Sequence, residues 1–183
     1  MALSIATYNI QGFRTATLPY LSSLLQCNDV VLIQEHWLLE SQFHLIADAF
    51  PYITAHCVSG MQENVISHGR GFGGCAVLWR SSLACTVEPV GVRHRRVCAV
   101  KIGFSHGVTI LVACVYLPCD NNVSNNEYDA ALAEVFTSDV CQEVDYIIVG
   151  GDFNTDLSRL NSPQTIALEE LCMRENMLCV KRH

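Results

Sequence analysis

The stretch Tyr146-Ile147-Ile148-Val149-Gly150-Gly151-Asp152-Phe153-Asn154 decides the fold. Its first four residues form a short apolar run, which is typical of a buried strand. Two glycines end the run, and the carboxylate of Asp152 and the amide of Asn154 follow them. The pattern predicts a buried strand, Tyr146 to Val149, that delivers polar groups at its carboxyl end.

The start of the chain has the same design. Leu3 to Ile10 alternates and is rich in β-formers, so it predicts a strand that closes at Gly12. Leucines at helical spacing follow, at positions 18, 21, 24 and 25, and Val30 to Ile33 is a fully apolar second strand. A continuous apolar strand indicates a sheet covered on both faces, so this segment predicts a β-α-β unit.

The middle of the sequence changes character after a glycine-rich segment at positions 69, 71, 73 and 74. Three further strands are predicted as an antiparallel meander: Cys75 to Trp79, Val97 to Ile102 and Thr109 to Tyr116. Helices are predicted over about 126–140 and around 165–175. The expected architecture is one mixed α/β domain spanning residues 1–183.

Composition limits the class of protein. With 183 residues, 50% of them hydrophobic and 16% charged, the chain can bury one core. No apolar run reaches the roughly 18 residues that span a bilayer, and we expect an intracellular protein without a membrane partner. Ten cysteines occur singly with no C-x-x-C pair, so we expect reduced thiols packed in the core.

The net charge of −7 argues mildly against a nucleic-acid partner, since phosphate binding normally uses excess Lys and Arg. One local basic cluster, Arg93-His94-Arg95-Arg96, runs against that total. It is a candidate basic rim for substrate, with Arg95 and Arg96 as candidate substrate-binding residues. A solvated hairpin turn explains the same cluster equally well.

Three apolar strands end in a polar group: the first in Asn9, the second in Gln34-Glu35, and the late one in Asp152 and Asn154. Residues at the carboxyl ends of neighbouring strands converge on one crevice in open α/β sheets. Asn, Glu and Asp supply hard oxygen ligands that suit Mg²⁺ and suit zinc poorly. Taken singly, each is explained by a turn, a surface carboxylate or a helix cap; the coincidence of three predicts a magnesium pocket.

At these positions the sequence resembles the endonuclease/exonuclease/phosphatase superfamily. The matching motifs run in order along the chain: Tyr8-Asn9-Ile10-Gln11-Gly12, Ile33-Gln34-Glu35, Val115-Tyr116-Leu117-Pro118 and Gly150 to Asn154. The resemblance implies two packed mixed β-sheets flanked by helices, a DNase-I-like four-layer sandwich, and hydrolysis at phosphorus promoted by Mg²⁺, with Mn²⁺ as an alternative.

The resemblance also implies a role for each matching residue. Glu35 would bind the metal and Asn9 would support the metal site. Asp152 would orient or deprotonate the attacking water. Asn154 would hydrogen-bond the phosphate, and Tyr116 would contact the phosphoryl or leaving group.

Within the superfamily, Gln34-Glu35-His36-Trp37-Leu38 and Arg70-Gly71-Phe72-Gly73-Gly74 look like endonuclease domains of non-long-terminal-repeat retrotransposons. That likeness implies DNA nicking, nuclear action and a reverse transcriptase domain in the full-length polypeptide. His36 and Trp37 are each open to two interpretations: Trp37 as a nucleic-acid contact or core, and His36 as a nucleic-acid contact or a supporting or surface residue. The alternatives are a phosphatase acting on inositol phosphates or lipids, and an inactive binding remnant.

One expected motif is missing. Members of this superfamily carry a late Ser-Asp-His or similar motif. In this sequence the only histidine after Asn154 is His183, and no acidic residue precedes it directly. We therefore expect a domain that is incomplete at its C-terminus, lacking its final strands, and weak or absent hydrolysis by residues 1–183. A nicking rate equal to that of a version extended through the motif would refute this expectation.

Overall fold

The computed structural model describes residues 3–62, 71–119, 126–137 and 143–180, in which two four-stranded sheets pack face to face. The first half of the chain supplies β1 (Ile5–Asn9), α1 (Leu18–Cys27), β2 (Val30–Gln34), a 3₁₀ turn (Glu40–Gln42), α2 (His44–Ala49), β3 (Ile53–Val58) and β4 (Cys75–Arg80). The second half supplies β5 (Cys85–Val90), β6 (Val97–Phe104), β7 (Thr109–Tyr116), α3 (Asn126–Thr137), β8 (Tyr146–Asp152) and α4 (Pro163–Arg174).

The two sheets have matching designs. The first has strand order β1-β2-β4-β3, with β1 parallel to β2 and the other neighbours antiparallel. The second has order β5-β6-β7-β8, with only β7 and β8 parallel. Each sheet therefore has a parallel strand pair at one edge, and the edge strands β1 and β8 contact each other across the sandwich.

Three apolar layers hold the sandwich together. A central layer between the sheets contains residues such as Leu32, Val77, Val100 and Val112. One outer layer packs α1 and α2 on the first sheet, and the other packs α3 and α4 on the second. Every residue of β2 is buried, as expected for a strand covered on both faces. This arrangement confirms the predicted fold of two mixed sheets with flanking helices.

The predicted single meander is wrong in one respect. Cys75 to Trp79 lies in the first sheet beside β2 and β3, whereas Val97 to Ile102 and Thr109 to Tyr116 pair in the second. Sequence alternation identified each strand but carried no information on its partner. Strands β3 and β5 were not predicted, because their half-exposed residues give no continuous apolar run.

The helix predictions were close. The helix predicted over 126–140 is described from Asn126 to Thr137, and positions 138–140 lie outside the described residues. The last helix begins at Pro163, two residues earlier than predicted, because the Ser162 hydroxyl caps it by accepting a hydrogen bond from Thr165 N at 3.1 Å. No helix in the described ranges is both long and apolar enough to cross a membrane.

Only some of the cysteines are core residues as predicted, since Cys27, Cys119 and Cys179 are exposed. Cys75, Cys98 and Cys114 are buried between the sheets, and none of the nine described cysteines is in a disulfide. Burial raises the pKa of the half-buried Cys57 to about 12 and raises those of Cys75 and Cys98 strongly. These thiols therefore stay protonated and unreactive at neutral pH. Cys141 lies outside the described residues.

Candidate active site

The carboxyl ends of β1, β2 and β8 meet at one point of the sandwich. There the side-chain amide of Asn9 donates to two carboxylates: to Glu35 Oε1 at 2.7 Å and to Asp152 Oδ2 at 2.8 Å. Asn9 ends β1, Glu35 directly follows β2, and Asp152 ends β8. The structure therefore brings together three of the residues that the strand-end pattern had singled out.

Glu35 is held by both its backbone and its side chain. Its φ of +56° is unusual for a non-glycine residue, and two backbone hydrogen bonds fix it: Glu35 N to Gly74 O at 2.8 Å and Gly12 N to Glu35 O at 2.7 Å. The Trp37 indole N–H donates to Glu35 Oε2 at 3.2 Å. With the Asn9 amide, two donors orient the Glu35 carboxylate.

Trp37 is a site residue whose role sequence reasoning missed. Its ring lies against Gly12, where an added Cβ would come within 2.5 Å of Trp37 Cε3. A Cβ at Gly71 would come within 2.9 Å of Trp37 Cβ, and the Arg14 guanidinium lies 5.1 Å from the ring centroid. The glycines at 12 and 71 are the sequence signal of this close packing, but one sequence does not reveal their partner.

The His36 side chain is too deeply buried to contact nucleic acid. The side chain is fully buried, Nδ1 accepts a hydrogen bond from Leu38 N at 3.0 Å, and Nε2 lies 3.2 Å from Val58 O. Burial lowers the pKa of His36 to about 4, so the ring is neutral at physiological pH. Its contacts brace the turn after Glu35, which makes it a supporting residue.

Close packing of β8 explains the two glycines of the motif, which lie within the strand. An added Cβ at Gly150 would meet Leu32 Cδ1 of the first sheet at 2.7 Å, and one at Gly151 would meet Val115 O of β7 at 2.0 Å. Glycine at these two positions lets β8 approach both the opposite sheet and its own neighbour. Close approach to the first sheet is what allows Asp152 to reach Asn9.

Asn154 and Asp152 are linked within the same loop. Asn154 has a φ of +47°, and its backbone N–H donates to Asp152 Oδ1 at 3.0 Å. The Asn154 side-chain amide donates to Leu117 O at 2.7 Å, which ties the loop to the end of β7. An amide nitrogen carries two hydrogens, so Asn154 keeps a second donor for a ligand.

Tyr116 lies opposite Asp152 in the register of β7 and β8. Burial, followed by the negative charge of Glu35, raises the pKa of Tyr116 to about 12. The hydroxyl therefore stays protonated across the physiological range and acts as a hydrogen-bond donor.

The two candidate substrate-binding arginines have different environments. Arg96 Nε donates to Glu127 Oε1 at 2.9 Å, Nη1 lies 3.4 Å from Tyr116 O, and the guanidinium lies 5.4 Å from the Tyr116 ring centroid. Arg95 is exposed and makes no ion pair within 4.0 Å of a described carboxylate. Arg96 is thus held against Glu127 and the Tyr116 ring, whereas Arg95 is exposed to solvent.

The carboxylates of Glu35 and Asp152 are close to each other without a cationic partner. Within the described ranges, neither is in an ion pair with Lys, Arg or His. No group of three or more His, Cys, Asp and Glu side chains suited to a metal is found there either. The oxygen donors that face each other here are thus the two carboxylates, because Asn9 turns its amide nitrogen towards them and its side-chain oxygen accepts a hydrogen bond from Gln11 N at 3.2 Å.

Comparison with known proteins assigns the family. Residues 6–168 match the Endonuclease/Exonuclease/phosphatase family. The chain belongs to this family. Its members are hydrolytic nucleases and phosphatases that act on phosphate esters. The matched range includes Asn9, Glu35, Tyr116, Asp152 and Asn154. No curated protein matches the sequence.

Solved structures of the Endonuclease/Exonuclease/phosphatase family share the fold at low sequence identity. An AP endonuclease from Leishmania major has a TM-score of 0.66 at 13% identity, over 95% of this chain and 67% of that chain. A 3′ phosphatase from Neisseria bound to a product DNA hairpin has a TM-score of 0.60 at 20% identity, over 94% and 71%. The APE2 catalytic domain of Xenopus laevis has a TM-score of 0.62 at 16% identity, over 92% and 67%.

Proposed function

We propose that this protein cleaves phosphodiester bonds of DNA, using Mg²⁺ bound by Glu35 at a site that Asn9 supports and Asp152 adjoins. The observation that carries the proposal is the Asn9 amide, which bonds both carboxylates at 2.7 and 2.8 Å where the two sheets meet. Two carboxylates that share one amide nitrogen are close enough to repel each other unless a cation neutralises them. The described residues provide no such cation within ion-pair distance.

The donor set fits a hard divalent cation. Mg²⁺ is usually bound through one or two carboxylates, with water and substrate phosphate oxygens completing its shell. Glu35 supplies one such carboxylate, and the Asn9 amide nitrogen holds it beside the carboxylate of Asp152. Mn²⁺ accepts the same oxygen ligands and is the expected substitute. No thiol or imidazole joins the set, because His36 is buried and turned away.

The side chains around the carboxylates have complementary tasks in hydrolysis. When bound, Mg²⁺ withdraws charge from the phosphate and stabilises the added negative charge of the transition state. Asp152, half-buried at the end of β8, is placed to accept a proton from the attacking water. The protonated hydroxyl of Tyr116 and the second amide hydrogen of Asn154 are placed to donate to phosphate oxygens.

DNA is the substrate class best supported. Three structures with a similar fold are an AP endonuclease, an APE2 catalytic domain and a 3′ phosphatase bound to a product DNA hairpin. The exposed Arg95 near Tyr116 provides a positive charge for the backbone. The motif Gln34 to Leu38 favours nicking of the retrotransposon type, with action in the nucleus and a reverse transcriptase in the same full-length polypeptide.

Metal binding and turnover are tested separately. Isothermal titration with Mg²⁺ and Mn²⁺ should give binding to the unmodified chain that Glu35→Gln weakens at least roughly tenfold. Glu40→Gln, an exposed glutamate in the 3₁₀ turn, is the matched control and should bind normally. Equal affinity for all three proteins would place the metal elsewhere or exclude it.

Supercoiled plasmid with Mg²⁺ tests the reaction. Asp152→Asn should lower any nicking rate by about 10²-fold or more, because it removes the proton acceptor. Asp48→Asn changes an exposed aspartate on α2 and should nick as the unmodified chain does. Unchanged nicking by Asp152→Asn would contradict the assignment. Phosphate release from inositol phosphates without plasmid nicking would replace DNA with a small phosphorylated substrate.

A further inference from the structure

A cavity lies beside the carboxylates, and of its lining residues only Tyr116 takes part in the proposed hydrolytic chemistry. Its volume is about 360 Å³, which is in the size range of small-ligand sites. Its lining is of three kinds: glycine backbone, aromatic rings and charged groups. The residues are Gly60, Phe72, Gly73, Gly74, Arg95, Arg96, Tyr116 and Glu127.

This cavity is joined directly to the candidate active site. Gly74 O accepts a hydrogen bond from Glu35 N at 2.8 Å, and Gly73 O accepts one from Trp37 N at 3.1 Å. Tyr116 lines the cavity, and Glu35 is near enough for its negative charge to raise the pKa of the Tyr116 hydroxyl. A phosphate held at the carboxylates would therefore have its own nucleoside at the mouth of the cavity.

The glycine part of the lining presents no side chains, because close packing prevents them. An added Cβ at Gly60 would lie 2.6 Å from Gly74 N, and one at Gly74 would lie 2.4 Å from the His36 ring. Gly74 also has a φ of +91°, which disfavours any other residue. Gly60, Gly73 and Gly74 are themselves buried, so this wall of the cavity is closely packed backbone.

The other walls supply an exposed aromatic ring and an exposed positive charge. Phe72 is 55% exposed, which is unusual for a large apolar side chain beside a cavity. No described aromatic ring stacks on it. The exposed Arg95 adds donors, whereas Arg96 is already engaged by Glu127.

We propose that this cavity binds an unpaired nucleobase adjacent to the scissile phosphate, with the Phe72 ring as its stacking surface. This inference rests on the proposed DNA substrate and names the part of the DNA that is recognised. An aromatic ring binds a base by stacking whatever its sequence, and Arg95 is placed to reach the base edge or the phosphate. A base inside a duplex is stacked on both sides, so only an unpaired or flipped nucleotide can enter.

The test measures binding without turnover. A short single-stranded oligonucleotide containing 2-aminopurine is titrated with the full chain, with Ca²⁺ in place of Mg²⁺. Stacking on Phe72 should quench the fluorescence of the base. Phe72→Ala should remove most of the quenching and weaken binding by roughly tenfold, and Phe72→Trp should preserve both. Tyr146→Ala is the matched control, since it removes an exposed ring at the opposite end of β8 from Asp152.

The outcomes separate this inference from the proposed function. Equal quenching and affinity in Phe72→Ala and the unmodified chain would overturn the stacking role, as would no binding of the oligonucleotide at all. A duplex containing paired 2-aminopurine is the test of selectivity for unpaired bases. If Phe72 quenches the paired base as strongly as the unpaired one, that selectivity is refuted. Asp152→Asn should retain quenching, so loss of nicking with intact quenching supports both proposals. Quenching through Phe72 without any nicking by the unmodified chain would refute only the hydrolytic one.

Discussion

Asn9 and Asp152, 143 positions apart in the sequence, are joined by a hydrogen bond of 2.8 Å from the Asn9 amide to the Asp152 carboxylate. Asn9 lies on the edge strand of one sheet and Asp152 on the edge strand of the other. The same amide nitrogen also bonds Glu35 at 2.7 Å. The spacing of the two carboxylates therefore depends on how the two sheets pack, and Asn9 sets it.

Replacing Asn9 tests this dependence. Asn9→Ala should lower the affinity for Mg²⁺ by about 10- to 100-fold, because the carboxylates lose the group that orients them. Isothermal titration measures the affinity. Asn161→Ala, an exposed asparagine before α4, should leave it unchanged. If Asn9→Ala binds Mg²⁺ as tightly as the unmodified chain, the amide has no part in spacing the carboxylates.

The buried imidazole of His36 should make stability sensitive to acid. Its pKa falls from 6.5 in the unfolded chain to about 4 in the fold, because burial disfavours the charged ring. Below pH 6.5 the unfolded chain takes up a proton that the folded chain does not. Stability is therefore complete above pH 6.5 and is lost as the pH falls towards 4, by on the order of 3 kcal/mol.

Urea unfolding between pH 7.5 and 4 measures this loss. His36→Gln keeps a donor and an acceptor but cannot titrate, so its free energy of unfolding should fall less steeply over the same range. Its absolute stability is not the readout. His44→Gln removes an exposed histidine and should keep the steep dependence. Parallel pH profiles for His36→Gln and the unmodified chain would disprove the role of His36.

The strand ends were predictable because they combine two strong local signals. Apolar runs fix where a strand lies, and an abrupt Asn9, Glu35 or Asp152 marks where it ends. The partner of β4 was not predictable, because pairing depends on packing between distant segments. Trp37 was ambiguous for the same reason: its indole bonds Glu35 only because Gly12 and the turn after β2 bring the ring there.

Arg95 and Arg96, adjacent in sequence, should respond oppositely to substitution. Arg95→Gln removes an exposed charge, so DNA binding should weaken and the slope of log K against log salt should fall by about 1. Thermal stability should not change. Fluorescence anisotropy with labelled DNA at several salt concentrations measures the slope.

Arg96→Gln should instead lower the free energy of unfolding by about 1 kcal/mol, since Arg96 loses a part-buried ion pair with Glu127 and its contact with the Tyr116 ring. Thermal melting measures the change, and Glu127→Gln should reproduce part of it. If Arg96→Gln flattens the salt slope as Arg95→Gln does and melts normally, then both arginines contact phosphate.

Gly151 should be the least replaceable residue of β8. Its φ is +148°, and an added Cβ would lie 2.0 Å from Val115 O, a backbone atom of β7 that cannot move without breaking the sheet. Gly151→Ala should therefore cost at least about 2 kcal/mol, which is roughly 5 °C in melting temperature for a chain of this size. Gly91→Ala is the matched control, because an added Cβ there meets nothing within 4 Å. Metal affinity should fall together with stability in Gly151→Ala, since the clash moves Asp152 away from Asn9. A variant that melts normally would mean that β8 can shift without disturbing β7, and the close approach of these strands would then not be what positions Asp152.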